Sequence, residues 1–198
     1  MCAAEILSKT QCSRCGSLLD NYSCDSCANE FGINRFRAIC DYSDIRFWVA
    51  KRKRDIGNQE LMFNPALMSN FYHNFLRNKE YSIDVEFVPS KSNNARYEHI
   101  FDFDDLLFSR VSLLVKRESI PQKLLKREER IAQKRKLFEI VENPSRKSDT
   151  VLLIDDVLST GASLSGCISL LLGLGYKEVY AIVLSYQRMC SGDDDGYR

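Results

Sequence analysis

Several things that would have settled the class of this chain at once are missing. No apolar run approaches the roughly 18 residues that a membrane-crossing helix needs, so no membrane span is expected. An excess of one charge is missing too: 28 basic residues face 27 acidic ones, for a formal net charge of +1. Global charge therefore gives no sign of nucleic-acid binding, which would have to rest on local patches. The first residues, Met1 to Lys9, have no apolar core of the signal-peptide kind, so a cytoplasmic protein is expected. With 198 residues, one good core can be buried and a small module appended to it.

Cysteine is what the chain has in plenty, with eight residues. In a reducing compartment these are thiols or metal ligands rather than disulfides. Four of them form two C-x-x-C pairs, Cys12-Ser-Arg-Cys15 and Cys24-Asp-Ser-Cys27. Each pair suits a knuckle that points two sulfurs at one ion, and Gly16 suits the sharp turn after Cys15. Asp20 and Asn21 allow a hairpin return between the pairs. The arrangement predicts a closed, structural zinc site with four thiolate ligands, Cys12, Cys15, Cys24 and Cys27. The alternative is a redox pair or disulfides. Two pairs at this spacing, without a thioredoxin-like βαβ context, argue against it. Cys2, Cys40, Cys167 and Cys190 are scattered and read as packing or surface thiols.

Residues 35–50 read as a strand followed by the start of a helix. The basic run Lys51-Arg-Lys53-Arg54 comes next. It fits a solvated helix end, where cations are favourable, as well as an anion site. Residues 60–78 carry a helical stripe of Leu61, Met62, Ala66, Leu67, Phe71, Phe75 and Leu76, with His73 as a structural histidine. Ile83, Val85 and Phe87 alternate with polar residues in a strand that runs into Val88-Pro89-Ser90-Lys91. A polar loop with Lys91, Asn93, Asn94 and Arg96 follows. A helix is expected over Phe103–Leu114, with a strand over Val111–Val115 as the alternative. Lys123–Glu139 reads as a charged surface helix, and Asn143–Ser148 as a linker.

The chain is organised around Val151-Leu-Leu-Ile154-Asp155-Asp156-Val-Leu158-Ser159-Thr160-Gly161-Ala162-Ser163. Its unbroken apolar run suits a central parallel strand buried on both faces. Two carboxylates at the end of such a strand need a partner or a use, because burying them unpaired is costly. A turn of small residues follows, then a helix over Leu164–Leu172 that Gly173 and Gly175 stop. The turn's N–H groups and the helix N-terminus suit a phosphate. The carboxylates beside them can accept from sugar hydroxyls or face hydrated Mg2+. Glu178–Leu184 reads as another buried strand, and residues 191–198 as a disordered tail.

This segment resembles the PRPP-binding loop of type I phosphoribosyltransferases: a hydrophobic strand, two acidic residues, a variable pair, then Thr-Gly-small-Thr/Ser. Together with the cysteine pairs, the chain resembles the ComF-type proteins, which join a four-cysteine zinc module to a phosphoribosyltransferase domain. The resemblance implies an α/β fold, a parallel sheet flanked by helices, with a zinc-ribbon-like module over residues 1–34, the transferase-like domain over 35–190 and the tail beyond. It implies PRPP as ligand, with Mg2+, and an acceptor that is an unknown nucleobase or amine. Asp155 and Asp156 would hold the ribose 2- and 3-hydroxyls, and Ser159, Thr160, Gly161, Ala162 and Ser163 the 5-phosphate. Lys51, Lys53, Lys91 and Arg96 fall on the pyrophosphate side. The family's flexible-loop pattern corresponds to Ser119-Ile-Pro121-Gln122, Arg130 and Gln133, with Phe138 as its apolar position. The family's Arg-Gly-Phe-Asn-Gln is absent, and His99-Ile-Phe-Asp-Phe-Asp-Asp105 stands in its region. A second Val-Pro is lost, and Ser119 replaces the loop threonine. These departures fall around the pyrophosphate and acceptor side. The alternative function is a non-catalytic protein of DNA uptake. It would handle single-stranded DNA with competence proteins as partners and keep the PRPP site; Tyr22, Phe31, Phe36, Tyr42 and Trp48 could stack on bases.

Overall fold

The computed structural model describes residues 10–20, 22–44, 71–76, 82–89, 108–117 and 137–187. The architecture is α/β. Strands β1 (Arg35–Asp41), β2 (Ile83–Phe87), β3 (Phe108–Arg110), β6 (Thr150–Leu158) and β7 (Glu178–Tyr186) form one sheet in the order β1-β7-β6-β2-β3. Every neighbouring pair in it is parallel. Two further strands, β4 (Leu114–Lys116) and β5 (Phe138–Ile140), pair antiparallel beside it. Helix α1 (Asp25–Phe31) belongs to the cysteine module, and helix α2 (Ala162–Gly173) links β6 to β7.

The apolar run of β6 does what such a run predicts in a central strand. Val151, Leu152, Leu153 and Ile154 are all buried, with neighbours paired on both sides. Leu152 and Ile154 join Tyr180, Ile182 and Leu184 in one cluster, which is packed by Phe71 and Phe75 of a helical segment. Val151 and Leu153 join Val179, Ala181 and Val183 in a second cluster on the other face. Leu164, Ile168 and Leu171 of α2 cover that face, and so do Cys12, Cys24, Cys27 and Ala28. At roughly 1.5–3 kcal/mol for each fully buried large aliphatic side chain, this double-sided burial is the main source of the sheet's stability.

β2 is the strand that the alternation of Ile83, Val85 and Phe87 with polar residues predicts, and its polar residues are buried as well, with Ile83 to Glu86 all inside. β2 is an interior strand between β6 and β3, and its polar face is covered, so both carboxyls have to be satisfied inside. Asp84 accepts from the backbone N–H of Lys147 (2.9 Å) and Ser148 (3.1 Å) and from the hydroxyl of Tyr176 (2.6 Å). Glu86 accepts from the backbone N–H of Leu113 at 2.7 Å. Asp84 thereby fixes the linker that delivers the chain to β6.

The helix expected over Phe103–Leu114 is a correction over residues 108–114; its first part, 103–107, lies outside the described residues. Phe108–Arg110 is a strand parallel to β2, and Leu114–Lys116 is half of a hairpin. β2 would otherwise present an unpaired edge. The N–H of Val111 also bonds the carbonyl of Val85 at 3.0 Å, so tertiary pairing overrides local propensity. The end of the expected basic helix is likewise a strand, β5; its residues 123–136 lie outside those described.

β2 leads outward to β3 on one side, and β6 leads to β7 on the other. The connections therefore diverge between β2 and β6. In open α/β sheets the crevice beyond the carboxyl ends of such strands is where ligands bind. Asp155 and Asp156 stand at that end of β6, beside Val88, whose N–H bonds the carbonyl of Ile154 at 2.8 Å.

Candidate functional site

The loop after β6 is built around Gly161, which has φ +77 and is the N-cap of α2. A left-handed residue there favours glycine, because a Cβ is strained in that region. Its surroundings add a second reason: a Cβ on Gly161 would lie 3.0 Å from Cε1 of Phe31 and 3.1 Å from its Cζ. The Ala162 N–H donates to Oγ1 of Thr160 at 3.4 Å, and the Ser165 N–H to the carbonyl of Gly161 at 2.9 Å. First-turn N–H groups have no acceptor within their own helix, so the Ser159–Ser163 turn and the start of α2 present donors and the positive end of a helix dipole to one place. No acidic residue stands in the first turn to occupy it.

The two carboxylates stand in the C-terminal part of the strand, and Val157 and Leu158 carry its pairing with β7 on to the turn. The Asp155 carboxyl accepts from the Asp156 N–H at 2.9 Å, and that of Asp156 from the Val157 N–H at 2.7 Å. Burial, then the neighbouring Asp156, hold Asp155 well above the usual carboxylate range; Lys116 pulls weakly the other way. The residue as a whole is half-buried, in a strand whose backbone is paired with β7 at this position. A desolvated carboxyl with a second one beside it gains from ligand hydroxyls that donate to it, or from a hard cation.

Three neighbours of the pair could not be found by scanning for motifs. Lys116, on β4, acts electrostatically on both Asp155 and Cys167, and its ammonium lies 5.6 Å from the Phe138 ring centroid. Cys167 of α2 is fully buried, and burial followed by Asp155 and Glu86 pushes its thiol far up, so it is an inert packing thiol. Glu86 is pushed up to about 8, chiefly by burial. Only their chain separation hid them, since the fold brings residues of β2, β4 and α2 near β6.

Glu86 gives a pH prediction. Its folded pKa lies above the unfolded one, so the folded state keeps a proton that the unfolded chain releases. The resulting stability is present below the ordinary value of 4.5 and is lost as pH rises through about 8. Thermal unfolding of metal-saturated protein should therefore weaken between pH 6 and pH 8.5 more steeply in the wild type than in Glu86→Gln. Gln keeps an acceptor for Leu113 and cannot ionise. Parallel curves would place the Glu86 proton elsewhere.

The second candidate centre is the cysteine cluster. Cys12, Cys15, Cys24 and Cys27 place their four Sγ atoms within 4.8 Å of one another. Gly16 takes φ +78 at the first knuckle, and its N–H bonds the Cys12 carbonyl at 2.9 Å. The return is a tight turn in which Asp20 and Ser23 exchange backbone hydrogen bonds of 2.8 Å, with Tyr22 at φ 63. Cys24 caps α1, which carries Cys27 one turn on. Sulfurs around tetrahedral zinc, at about 2.3 Å each, stand about 3.8 Å apart. Here Cys12–Cys27 is 3.9 Å and Cys15–Cys24 is 3.4 Å, so the donor set fits a soft tetrahedral ion. Burial pushes Cys24 up to about 11, whereas the Cys27 thiol, by hydrogen bonding, brings Cys12 down to about 5. Four thiols this close ionise together only around a cation.

Of the remaining expected site residues, Lys51, Lys53, Lys91, Arg96, Gln122 and Arg130 lie outside the described residues, and so do Trp48 and the tail 191–198. The hairpin β4–β5 is described up to Arg117 on one side and from Leu137 on the other, and it brackets the segment that holds Gln122 and Arg130. Among the described residues no helix is long and apolar enough to cross a membrane.

Compared with known proteins, residues 117–198 match the family model of the phosphoribosyl transferase domain. No curated protein matches the chain. Among solved structures, a hypoxanthine phosphoribosyltransferase from Staphylococcus aureus aligns at 12% identity with a TM-score of 0.36. The alignment covers 59% of this chain and 66% of that one. The family match covers less than half of the chain, and Asp155, Asp156 and the Gly161 turn all lie inside it: residues 117–198 carry a phosphoribosyltransferase-like domain.

Proposed function

We propose that this chain binds PRPP and acts as a phosphoribosyltransferase of the ComF type. The observation that carries the proposal is the C-terminal part of β6: the half-buried Asp155-Asp156 pair, followed after Leu158 by a short turn into a left-handed Gly161 at the N-terminus of α2. A ribose with a 5-phosphate needs this combination, hydroxyl acceptors a few ångströms from a cluster of N–H donors. In this reading Ser159, Thr160, Gly161, Ala162 and Ser163 hold the phosphate, and Asp155 and Asp156 accept from the ribose hydroxyls. Both carboxylates offer the hard oxygen donors that suit Mg2+, which would supply charge neutralisation for pyrophosphate.

The reaction is displacement of pyrophosphate from C1 by a nitrogen of a nucleobase or amine. Positive charge grows on the ribose as the pyrophosphate leaves. Holding the sugar in place and surrounding it with carboxylates stabilises that charge. Lys51, Lys53, Lys91 and Arg96 are assigned to the pyrophosphate, and the segment of Gln122 and Arg130 to closing over the site. The cysteine module, residues 1–34, holds structural zinc, and the protein works in the cytoplasm. The competence-linked alternative, single-strand handling, draws less support. Tyr22 meets Phe71 edge-on, and Phe31 and Phe36 lie against each other, so these rings are engaged in packing.

Titrating metal-loaded, full-length protein with PRPP and Mg2+ by calorimetry should give a saturable one-to-one heat. A screen of nucleobases and amines for pyrophosphate release should then identify the acceptor. Absence of PRPP binding by the folded protein would overturn the proposal. Single-strand binding with a steep salt dependence would favour the alternative.

A further inference from the structure

Phe31 is the last residue of α1 and belongs to the cysteine module, yet its ring covers Gly161 of the loop after β6. The contact is close enough that a methyl group on Gly161 would push the ring back by a few tenths of an ångström. The ring is held from the module's side. The guanidinium carbon of Arg14 lies 4.9 Å from its centroid, and Phe36 lies 5.2 Å away, centroid to centroid. Arg14 is itself fixed by both oxygens of Glu30 and donates to Sγ of Cys27 at 3.3 Å. Beyond Phe31 the chain turns at once through Gly32, at φ +66, whose N–H bonds the carbonyls of Ala28 and Asn29. An unbroken set of contacts thus runs from a metal-ligating sulfur through Arg14 and Phe31 to the turn.

We propose that Phe31 is a positioning residue for the loop Ser159–Ser163, and that through Arg14 it ties the shape of this loop to the integrity of the four-cysteine site. The inference rests on the reading of that loop as a phosphate site. Glycine has many accessible conformations, and an anion-binding turn has to be held in one of them for its N–H groups to converge. A ring lying on Gly161 removes the space into which the loop would otherwise relax. The cost of ordering the loop is then met in the free protein instead of on binding. The cysteine module accordingly acts as one wall of the ligand site.

Three full-length, metal-loaded variants test this: Phe31→Ala, Phe31→Leu and Arg14→Met. Metal content, PRPP affinity by calorimetry and hydrogen exchange of the 159–163 amides are measured on each. Phe31→Ala should keep one metal per chain, bind PRPP about tenfold more weakly and exchange those amides faster. Phe31→Leu, which refills part of the ring's volume, should recover part of the affinity. Arg14→Met should shift both readouts in the same direction by less. If Phe31→Ala fails to fold, the Phe31→Leu and Arg14→Met comparisons decide. Unchanged affinity and unchanged exchange in a folded Phe31 variant would overturn the inference. If the wild type binds no PRPP while the Phe31 variants still exchange the loop faster, the phosphate reading fails and the positioning role stands.

Discussion

Replacing Asp155 and Asp156 together with asparagine is expected to abolish PRPP binding and leave the fold intact or slightly firmer. The two effects have opposite signs for one reason. In the free protein the pair is a liability. Burial and the adjacent Asp156 already hold Asp155 well above the normal carboxylate range, so neutral amides relieve repulsion and desolvation together. In the complex the same pair is needed, since only carboxylates accept strong hydrogen bonds from both ribose hydroxyls and face a cation. Two lost charge-assisted bonds at about 1.5–3 kcal/mol each correspond to at least a hundredfold loss of affinity. Calorimetry on the variant, paired with thermal unfolding, reads both sides. Unchanged affinity would remove the pair from the site, and a collapsed melting temperature would make it a structural element instead.

Removing the metal is expected to have the largest effect on stability. Cys12, Cys24 and Cys27 are at most 2% exposed and pack in the same cluster as Val151, Leu153 and Leu164. The module is therefore not an appendage that could unfold alone and leave the sheet covered. Structural zinc contributes on the order of 10 kcal/mol where its site forms with the fold, against a total stability of about 5–15 kcal/mol for a typical domain. Even a loss of about 4 kcal/mol lowers the melting temperature of a chain this size by roughly 10 °C. Chelation, and separately Cys24→Ser, should produce at least that shift, with the metal measured in parallel. The metal should also leave more readily as pH falls, because thiolates are the ligands. A melting temperature unaltered after verified metal loss would rule out the staple.

What could be read directly from the chain was local. Val151–Ile154, the acidic pair, Gly161 and the two cysteine pairs each lie within a few residues of their partners, and the fold places them together as their spacing suggests. What could not be read depends on what covers a surface. Alternation marks Ile83–Phe87 as a strand, but period two does not say whether the second face meets water. Asp84 and Glu86 are buried because the linker, Tyr176 and the backbone at Leu113 meet them. Phe108–Arg110 is a strand because β2 needed a neighbour, which no local propensity shows. Lys116 reaches Asp155 only through a hairpin, and Phe31 looked like any aromatic beside a metal site until the loop lay against it.

The pairing of β1 with β7 sets an order of events during synthesis. Cys40 on β1 donates to the carbonyl of Leu184, 144 residues later in the chain. At ribosomal rates of about 5–20 residues per second, β1 waits on the order of ten seconds for the strand that completes it. During that interval an apolar edge, Phe36 to Cys40, has no parallel partner. The contacts that can form early are short-range ones: the two knuckles, α1, and the bond from the Cys24 N–H to the Phe36 carbonyl. These contacts can thus order the first strand of the sheet before the last one arrives.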